Sequence, residues 1–397
     1  MRTRRSFLAY LLALSLVLTG CFVPAQTGAA GSADAPARTA VLVSDAKASQ
    51  EPTVTISLVM VGDVLVHRPV WESGELPDGT YDYDHLFAQV APDVQAADLA
   101  IVNQETLLGG TGLGLSSYPT FNSPQEIGDA EAAAGFDVVC KATNHTLDKG
   151  VAGLAAELSF WRERHSGVAV VGAADSKETY DGIYVYEKDG FKVAVLNYTY
   201  GTNGIPLPAD NPWAVHLLDE DSIRDDVARA HELADLVVVS PHWGTEYVTG
   251  PDAMQQRYTD LFCELGVDVV IGTHPHCLGP VEVKTRKDGH QTLVYYSLGN
   301  FVSSQNQCEL TAVGGLAKVT LVKDAEGARV ADYELWPTVT HMVSGTTYTT
   351  YKLADYTDEL AAQSYAGVTR KGCEDLCAQV LGETYDAGAS VLRGSLS

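Results

Sequence analysis

The sequence predicts an α/β protein with a mixed sheet system, and two observations carry the prediction. Six segments run from a short apolar stretch straight into side chains of the kind that bind metals. They are Val59-Met60-Val61-Gly62-Asp63, Leu99-Ala100-Ile101-Val102-Asn103-Gln104-Glu105, Val138-Val139-Cys140-Lys141-Ala142-Thr143-Asn144-His145, Leu236-Val237-Val238-Val239-Ser240-Pro241-His242, Val269-Val270-Ile271-Gly272-Thr273-His274-Pro275-His276 and Val294-Tyr295-Tyr296-Ser297-Leu298-Gly299-Asn300. Strands buried on both faces read as such runs, and sites in α/β proteins gather outside their carboxyl ends. Beyond Pro52, strand-like and helix-like segments alternate while hairpin signals interrupt them, which favours a mixed system over a purely parallel sheet.

The N-terminus reads as an export signal. Arg2, Arg4 and Arg5 precede an apolar run from Phe7 to Leu18, too short to span a bilayer comfortably. Leu18-Thr19-Gly20-Cys21 then closes the run and resembles the lipobox of bacterial lipoproteins, in which Cys21 is lipidated and becomes the first mature residue. Thr3-Arg4-Arg5-Ser6-Phe7-Leu8 also looks like a twin-arginine export signal, so the twin-arginine and the general route stand as alternatives. Residues 1–20 are therefore read as a lipoprotein signal peptide. Residues 21–52, rich in Ala, Ser, Thr and Gly without periodicity, are read as a flexible tether, since they cannot bury enough apolar surface to offset their ordering entropy. The expected location is the cell membrane, lipid-anchored and facing the extracytoplasmic side.

With Cys21 lipidated, Cys140, Cys263, Cys277, Cys308, Cys373 and Cys377 remain, an even number in a compartment where disulfides persist. Cys140 and Cys263 lie in apolar stretches and read as small buried hydrophobes. Cys277 and Cys308 both follow site motifs closely, which allows a bridge between them. Cys373 and Cys377, four apart, share a helix face without a matching second pair for zinc.

Ser123-Pro124 opens a helix to Ala134, and Val151 to Arg164 shows apolar residues at helical spacing with Gly167 as a stop. Further helices fit Asp221 to Leu233 and Asp252 to Leu265. Hairpins are expected where Ile183–Lys188 and Phe191–Tyr198 flank Asp189-Gly190, and where Val281–Arg286 and Gln291–Tyr296 flank a turn at 287–290. Past about Thr340 the apolar strand pattern fades into Tyr- and Thr-rich sequence, so the principal domain is set at 53–340 and a helical C-terminal extension at 341–397.

Composition limits the partners. The formal net charge is -25 and all three arginines of the first 20 residues belong to the signal, leaving the remainder more acidic still. Phosphate contacts need a cationic face, so nucleic acid is excluded. Hydrophobic residues at 46 % nonetheless allow a large core.

Residue by residue, Asp63 with His67 four positions later is close enough in a turn to share one ion, although the pair taken alone reads better as Asp63 capping a helix with His67 on the surface. Asn103 and Glu105 project to one side of an extended segment. In Thr143-Asn144-His145-Thr146-Leu147-Asp148, an Asn carbonyl stands beside a His able to donate a proton, and Asp148 can hold that ring. His242 follows an apolar run, and His274-Pro275-His276 can direct two imidazoles to the same side.

Gly62-Asp63, Asn103-Gln104-Glu105, Ala142 to Asp148, Pro241-His242-Trp243-Gly244-Thr245-Glu246-Tyr247, Gly272 to His276 and Ser297-Leu298-Gly299-Asn300-Phe301 together resemble the signature series of the bacterial capsule synthesis CapA family, the poly-γ-glutamate capsule proteins, over about Val54 to Thr340. That family is similar to calcineurin-like metallophosphatases. The resemblance implies a mixed β-sandwich flanked by helices (α/β/β/α) and two divalent metal ions of the Mn, Fe or Zn class. It assigns Asp63 and His276 to one ion, Glu105 as a bridge, Asn144, His242 and His274 to the other, and His145 as general acid. Two positions depart from the phosphatase pattern and one from the capsule family's own. Leu65 stands where the phosphatase Asp-x-His motif has its His, leaving His67 as the substitute; Glu105 replaces a bridging Asp; and Thr143 stands where the capsule family often has a second Asn.

The functional expectation is a lipid-anchored surface protein acting in poly-γ-glutamate capsule synthesis, export or attachment. Its expected partners are an anionic polymer or its precursor and membrane-bound capsule synthesis machinery. The alternatives are a metallophosphoesterase on another envelope substrate and a non-catalytic polymer-binding assembly subunit.

Overall fold

Strand β1 (Val54–Leu65) sends Ile56, Leu58 and Met60 into one buried cluster and Val59, Val61 and Val64 into another, which is why its sequence is apolar at nearly every position. The computed structural model describes residues 53–305, 308–343, 347–365 and 367–396. The segments read from the sequence as a signal peptide and a tether, with Cys21, lie outside them. In chain order the further strands are β2 (Leu99–Gln104), β3 (Val138–Cys140), β4 (Ala169–Val171), β5 (Tyr184–Lys188), β6 (Phe191–Thr199), β7 (Leu236–His242), β8 (Val269–Ile271), β9 (Val281–Thr285), β10 (Gln291–Tyr295), β11 (Asn300–Ser303), β12 (Val313–Asp324), β13 (Gly327–Val343), β14 (Thr347–Lys352), β15 (Tyr385–Asp386) and β16 (Val391–Ser395).

Two sheets face each other. The larger runs β15-β16-β13-β12-β1-β2-β3-β4, with β11 also pairing β1 and β14 pairing β13; the smaller runs β5-β6-β7-β8-β10-β9. Strands β1 to β4 are mutually parallel, as are β6, β7, β8 and β10, while the remaining long pairings are antiparallel, so both sheets are mixed. Ile101, Val138, Val193, Val238, Ile271 and Leu293 fill the space between the sheets. Behind the larger sheet, helices Glu126–Ala134 and Gly150–Arg164 bury Ile127, Phe160 and Trp161. Behind the smaller one, helices Glu220–Leu233 and Ala253–Leu265 bury Val227 and Phe262. The α/β/β/α sandwich expected from the sequence is therefore what the chain forms.

Local signals explain most boundaries. Asp219 caps the helix at 220, and Asp252 and Gln255 form a capping box at 253. Asp189 and Gly190, both at positive φ, turn the β5–β6 hairpin. The Ser123-Pro124 start is displaced: the helix begins at Glu126, because the Ser123 carbonyl accepts the Gly110 amide and its own amide bonds to the Leu107 carbonyl, which ties Ser123 to the loop after β2. Residues 341–397 are built into the larger sheet rather than appended to it. β13 crosses Thr340, and β14, β15 and β16 join it, alongside the expected helical stretches Asp358–Ala361 and Arg370–Leu381. Among the described residues the cysteines are free, and the bridge allowed between Cys277 and Cys308 is not formed: Cys277 is buried whereas Cys308 is exposed.

Candidate metal centre

The parallel strands of both sheets deliver their carboxyl ends to one rim, so Asp63, Glu105, Asn144, His242, His274 and His276 arrive from β1, β2, β3, β7 and β8. Gly62 is required by packing: a Cβ there would lie 2.0 Å from the Gly299 carbonyl oxygen. Register shifts beside Asp63 in its ladders with β2 and β11 mark a bulge, the usual device for re-aiming a side chain out of a ladder.

Asp63 is fully buried and well supplied with donors. Asn103 Nδ2 donates to its Oδ1 at 2.9 Å, the His274 amide reaches both oxygens at 3.3 Å, and His276 Nδ1 lies 3.0 Å from Oδ2. Asn103 thus helps position Asp63, while its own amide oxygen is buried without a hydrogen-bond partner.

Glu105 differs. Both of its carboxylate oxygens are buried and have no hydrogen-bond partner. One lies 3.7 Å from His242 Nε2 and the other 3.7 Å from His276 Nδ1. Burial drives its pKa well above the ordinary carboxylate range; the His276 charge pulls against that and the Asp63 charge adds to it. A buried carboxylate left without donors is costly, so the arrangement calls for a cation.

His242 is oriented from behind by Thr273 Oγ1, 3.0 Å from Nδ1, and its Nε2 lies 2.9 Å from Asn144 Oδ1. With Nδ1–H donating to Thr273, the Nε2 lone pair is free for a metal. Burial and the neighbouring imidazoles His274 and His276 push the His242 pKa well below its ordinary value, and burial followed by His276 does the same to His274. Both rings are thereby kept neutral, as ligands must be. Nδ1 of His274 is buried without a partner. Ring centroids of His242 and His274 are 4.8 Å apart, and those of His274 and His276 5.8 Å.

His274 and His276 both adopt positive φ, 96° and 57°, uncommon for side chains with a Cβ and typical of strained functional segments. Their segment is pinned by the Trp243 amide to the Thr273 carbonyl and by the Asn300 side chain to the His276 carbonyl. Gly272 lets it sit against Tyr296 and Trp243, since a Cβ would meet the Tyr296 carbonyl oxygen at 2.3 Å.

Three groups of ligand-type atoms mutually within 4.8 Å result: Asp63, Glu105 and His276; Glu105, His242 and His274; and Glu246, His274 and His276. Glu105 belongs to the first two. The donors are carboxylate and imidazole, with the Asn144 amide oxygen beside them, a set that suits divalent Mn, Fe or Zn. The residues present therefore fit divalent metal ions.

His145 and His67 stand outside these groups. His145 Nδ1 is 2.7 Å from Asp148 Oδ2, which also accepts the Phe121 amide at 2.6 Å, and the ring meets Phe121 edge-on at 4.7 Å. His67, expected as a substitute ligand, is half-buried at the start of the short helix Arg68–Glu72, edge-on to Phe121 at 5.2 Å. Burial, with His276 and His145 adding, lowers its pKa to about 4. The chain continues from β1 through Leu65 and Val66, both packed into the core, before reaching His67, which accounts for its displacement from the ligand groups.

Sequence reasoning did not assign Thr273 or Glu246 to the site, nor Asn197, whose side chain accepts the Ala142 amide at 2.6 Å and donates to the Ser240 carbonyl at 2.7 Å, joining the β3 and β7 loops. Glu246 was visible within the His242 motif without an assigned role; Thr273 and Asn197 carry no signal beyond their neighbours.

The family model for the bacterial capsule synthesis protein PGA_cap matches residues 57–305, more than half of the chain. The chain belongs to this family. The PGA_cap match holds every residue of the centre from Asp63 to Asn300. Capsule biosynthesis protein CapA of Bacillus anthracis is 28% identical over 263 residues, covering 63% of this chain and 60% of that protein's own length. PGA biosynthesis protein CapA of Bacillus subtilis (strain 168) is 27% identical over 287 residues, covering 68% and 69%. Among solved structures, the NAD nucleotidase NadN of Haemophilus influenzae overlaps 83% of this chain and 63% of its own at 12% identity and a TM-score of 0.47.

Proposed function

We propose that this PGA_cap family member is a metal-dependent hydrolase of the cell envelope, acting in the synthesis, export or attachment of a poly-γ-glutamate capsule. The observation that carries the hydrolase reading is Glu105, whose two buried, unpartnered oxygens each face an imidazole of a different ligand group. In this reading Asp63, Glu105 and His276 hold one ion, and Glu105, Asn144, His242 and His274 hold the other.

Divalent ions bound there would supply an activated water and positive charge for a developing oxyanion on an amide or phosphate ester. The protein's own groups do the rest. Thr273 fixes the His242 ring, Asn103 fixes Asp63, and Asp148 holds His145 with Nδ1 toward the carboxylate. That leaves His145 Nε2 to carry a proton to the leaving group. Phe121 packs edge-on against the ring, which limits its rotation.

The capsule role is supported by the family and by the CapA relatives of Bacillus. The proposed partners are an anionic polymer or its precursor and the membrane-bound synthesis machinery. With a net charge of -25 the protein repels polyanions at long range, so bound cations would provide the local attraction. Lipid anchoring through Cys21 on the extracytoplasmic side is part of the same reading, supported by Arg2, Arg4 and Arg5, the apolar run and Leu18-Thr19-Gly20-Cys21. Among the described residues no helix is long and apolar enough to cross a membrane.

The test is a metal count on the purified full chain, followed by assays on poly-γ-glutamate and on phosphomonoesters and diesters. Glu105→Gln is expected to lose bound metal and turnover together. Turnover of phosphoesters alone would favour an envelope metallophosphoesterase, and bound metal with no turnover of either class would favour an assembly subunit.

A further inference from the structure

The third ligand group contains a carboxylate that the metal reading leaves unused. Glu246 is exposed, on the loop that follows β7, and one of its oxygens lies within 4.8 Å of a ring nitrogen of His274 and of one of His276. The loop is stitched to the histidine segment at both ends. The Trp243 amide donates to the Thr273 carbonyl at 3.0 Å, and the Tyr247 amide to the Pro275 carbonyl at 2.8 Å. Between them Gly244 takes φ 91° and Tyr247 φ 64°, a reversal that returns the chain over the two imidazoles. Gly244 also abuts the Gln255 side chain, where a Cβ would come within 2.7 Å. Thr245 Oγ1 donates to the capping Asp252 at 2.7 Å, tying the same turn to the next helix.

The two deeper groups are unequal in ligands. Glu105, His242 and His274 have the Asn144 amide oxygen beside them, 2.9 Å from His242 Nε2, which makes four donors. Asp63, Glu105 and His276 have three, and His67 is in none of the groups. Glu105 reaches His242 and His276 while fully buried, whereas Glu246 reaches His274 and His276 from an exposed position. The unpartnered oxygens of buried Glu105 and the unpartnered Nδ1 of buried His274 point independently to a cation between them.

We propose that Glu246 is a third carboxylate ligand of the metal centre, closing it on the solvent side beside His274 and His276. The assignment rests on the metal reading above. A carboxylate in this position, unlike a fixed imidazole, is exposed and can move aside when substrate enters. It also raises the negative charge facing the ions, which favours retention of a hard divalent cation over a soft one.

The full chain, stripped of metal and titrated calorimetrically with Mn2+ and with Zn2+, tests this, with bound ions counted after dialysis. Glu246→Gln is expected to weaken the binding of one ion at least 10- to 100-fold, the range that loss of a ligand's supporting hydrogen bond already costs. Glu246→Asp, with a shorter arm, is expected to fall between. The melting temperature of the metal-free protein should be the same in all three, because Glu246 is exposed, while its rise on adding metal should be smaller in Glu246→Gln. Unaltered ion number and affinity in Glu246→Gln would overturn the assignment and leave the metal reading standing. Failure of the unsubstituted chain to take up either metal would overturn both.

Discussion

Nδ1 of His276 lies 3.0 Å from Oδ2 of Asp63, across 213 positions of sequence. Burial alone would lower the pKa of this imidazole, but the Glu105 charge and the Asp63 hydrogen bond outweigh it and raise the value to about 9. Because the folded value lies above the unfolded one, this contribution to stability is fully present below about pH 6.5 and is lost as pH rises through about 9. We expect the melting temperature of the metal-free chain to fall across that window. Metal affinity should rise over the same window, with proton release detectable by calorimetry in buffers of different ionisation enthalpy. Asp63→Asn should move both effects to lower pH.

His145 and Asp148 should separate chemistry from metal binding. His145→Ala is expected to cut turnover by about 10²- to 10⁴-fold with metal content nearly unchanged, whereas His274→Ala should reduce both. Asp148→Asn keeps an acceptor for the Phe121 amide but replaces the carboxylate at His145 Nδ1 with a neutral amide, so it should lower kcat more than it changes KM. Metal analysis beside steady-state kinetics on each variant provides the check; equal metal loss in His145→Ala and His274→Ala would make His145 a ligand.

Beneath the centre, Lys141 is fully buried. Its Nζ lies 3.2 Å from Glu157 Oε2 and donates to the carbonyls of Gln104 and Thr106 at 3.1 and 2.8 Å, so it braces the loop carrying Glu105. Lys141→Met should destabilise by about 3–5 kcal/mol, since it strands Glu157 near a second buried acid, Glu131. Urea unfolding measures this, and Lys141→Met with Glu157→Leu should recover much of the loss.

Anchoring has its own test. Cys21→Ser should release the protein from membranes after signal removal; a variant that still fractionates with membranes would remove the lipoprotein assignment.

Much of the site was legible because strands buried on both faces need apolar residues at every position. A run such as Leu236 to Val239 therefore stands out, and so does the polar residue that ends it. The same reasoning does not find Glu246. An exposed glutamate in a turn looks like any solvated one, and its reach depends on backbone bonds from Trp243 and Tyr247 to a segment about thirty residues away. The C-terminal strands were hidden for a different reason. β14 alternates rather than running apolar, with Tyr348 and Thr350 buried while Thr347 is exposed, and it contains no aliphatic residue. His67 misleads in the opposite sense, since proximity in sequence to Asp63 suggested a shared ion, yet His67 falls in none of the ligand groups and Val66 before it is packed into the core.

The larger sheet ends on β15, two residues long, and on β4, three residues long, while the smaller ends on β9, which carries Glu282 and Lys284, and on β5, which carries Glu187 and Lys188. These four ends offer a neighbour only short or charged ladders to extend. At these ends, copies of the chain that meet edge to edge would have little tendency to zip into fibres.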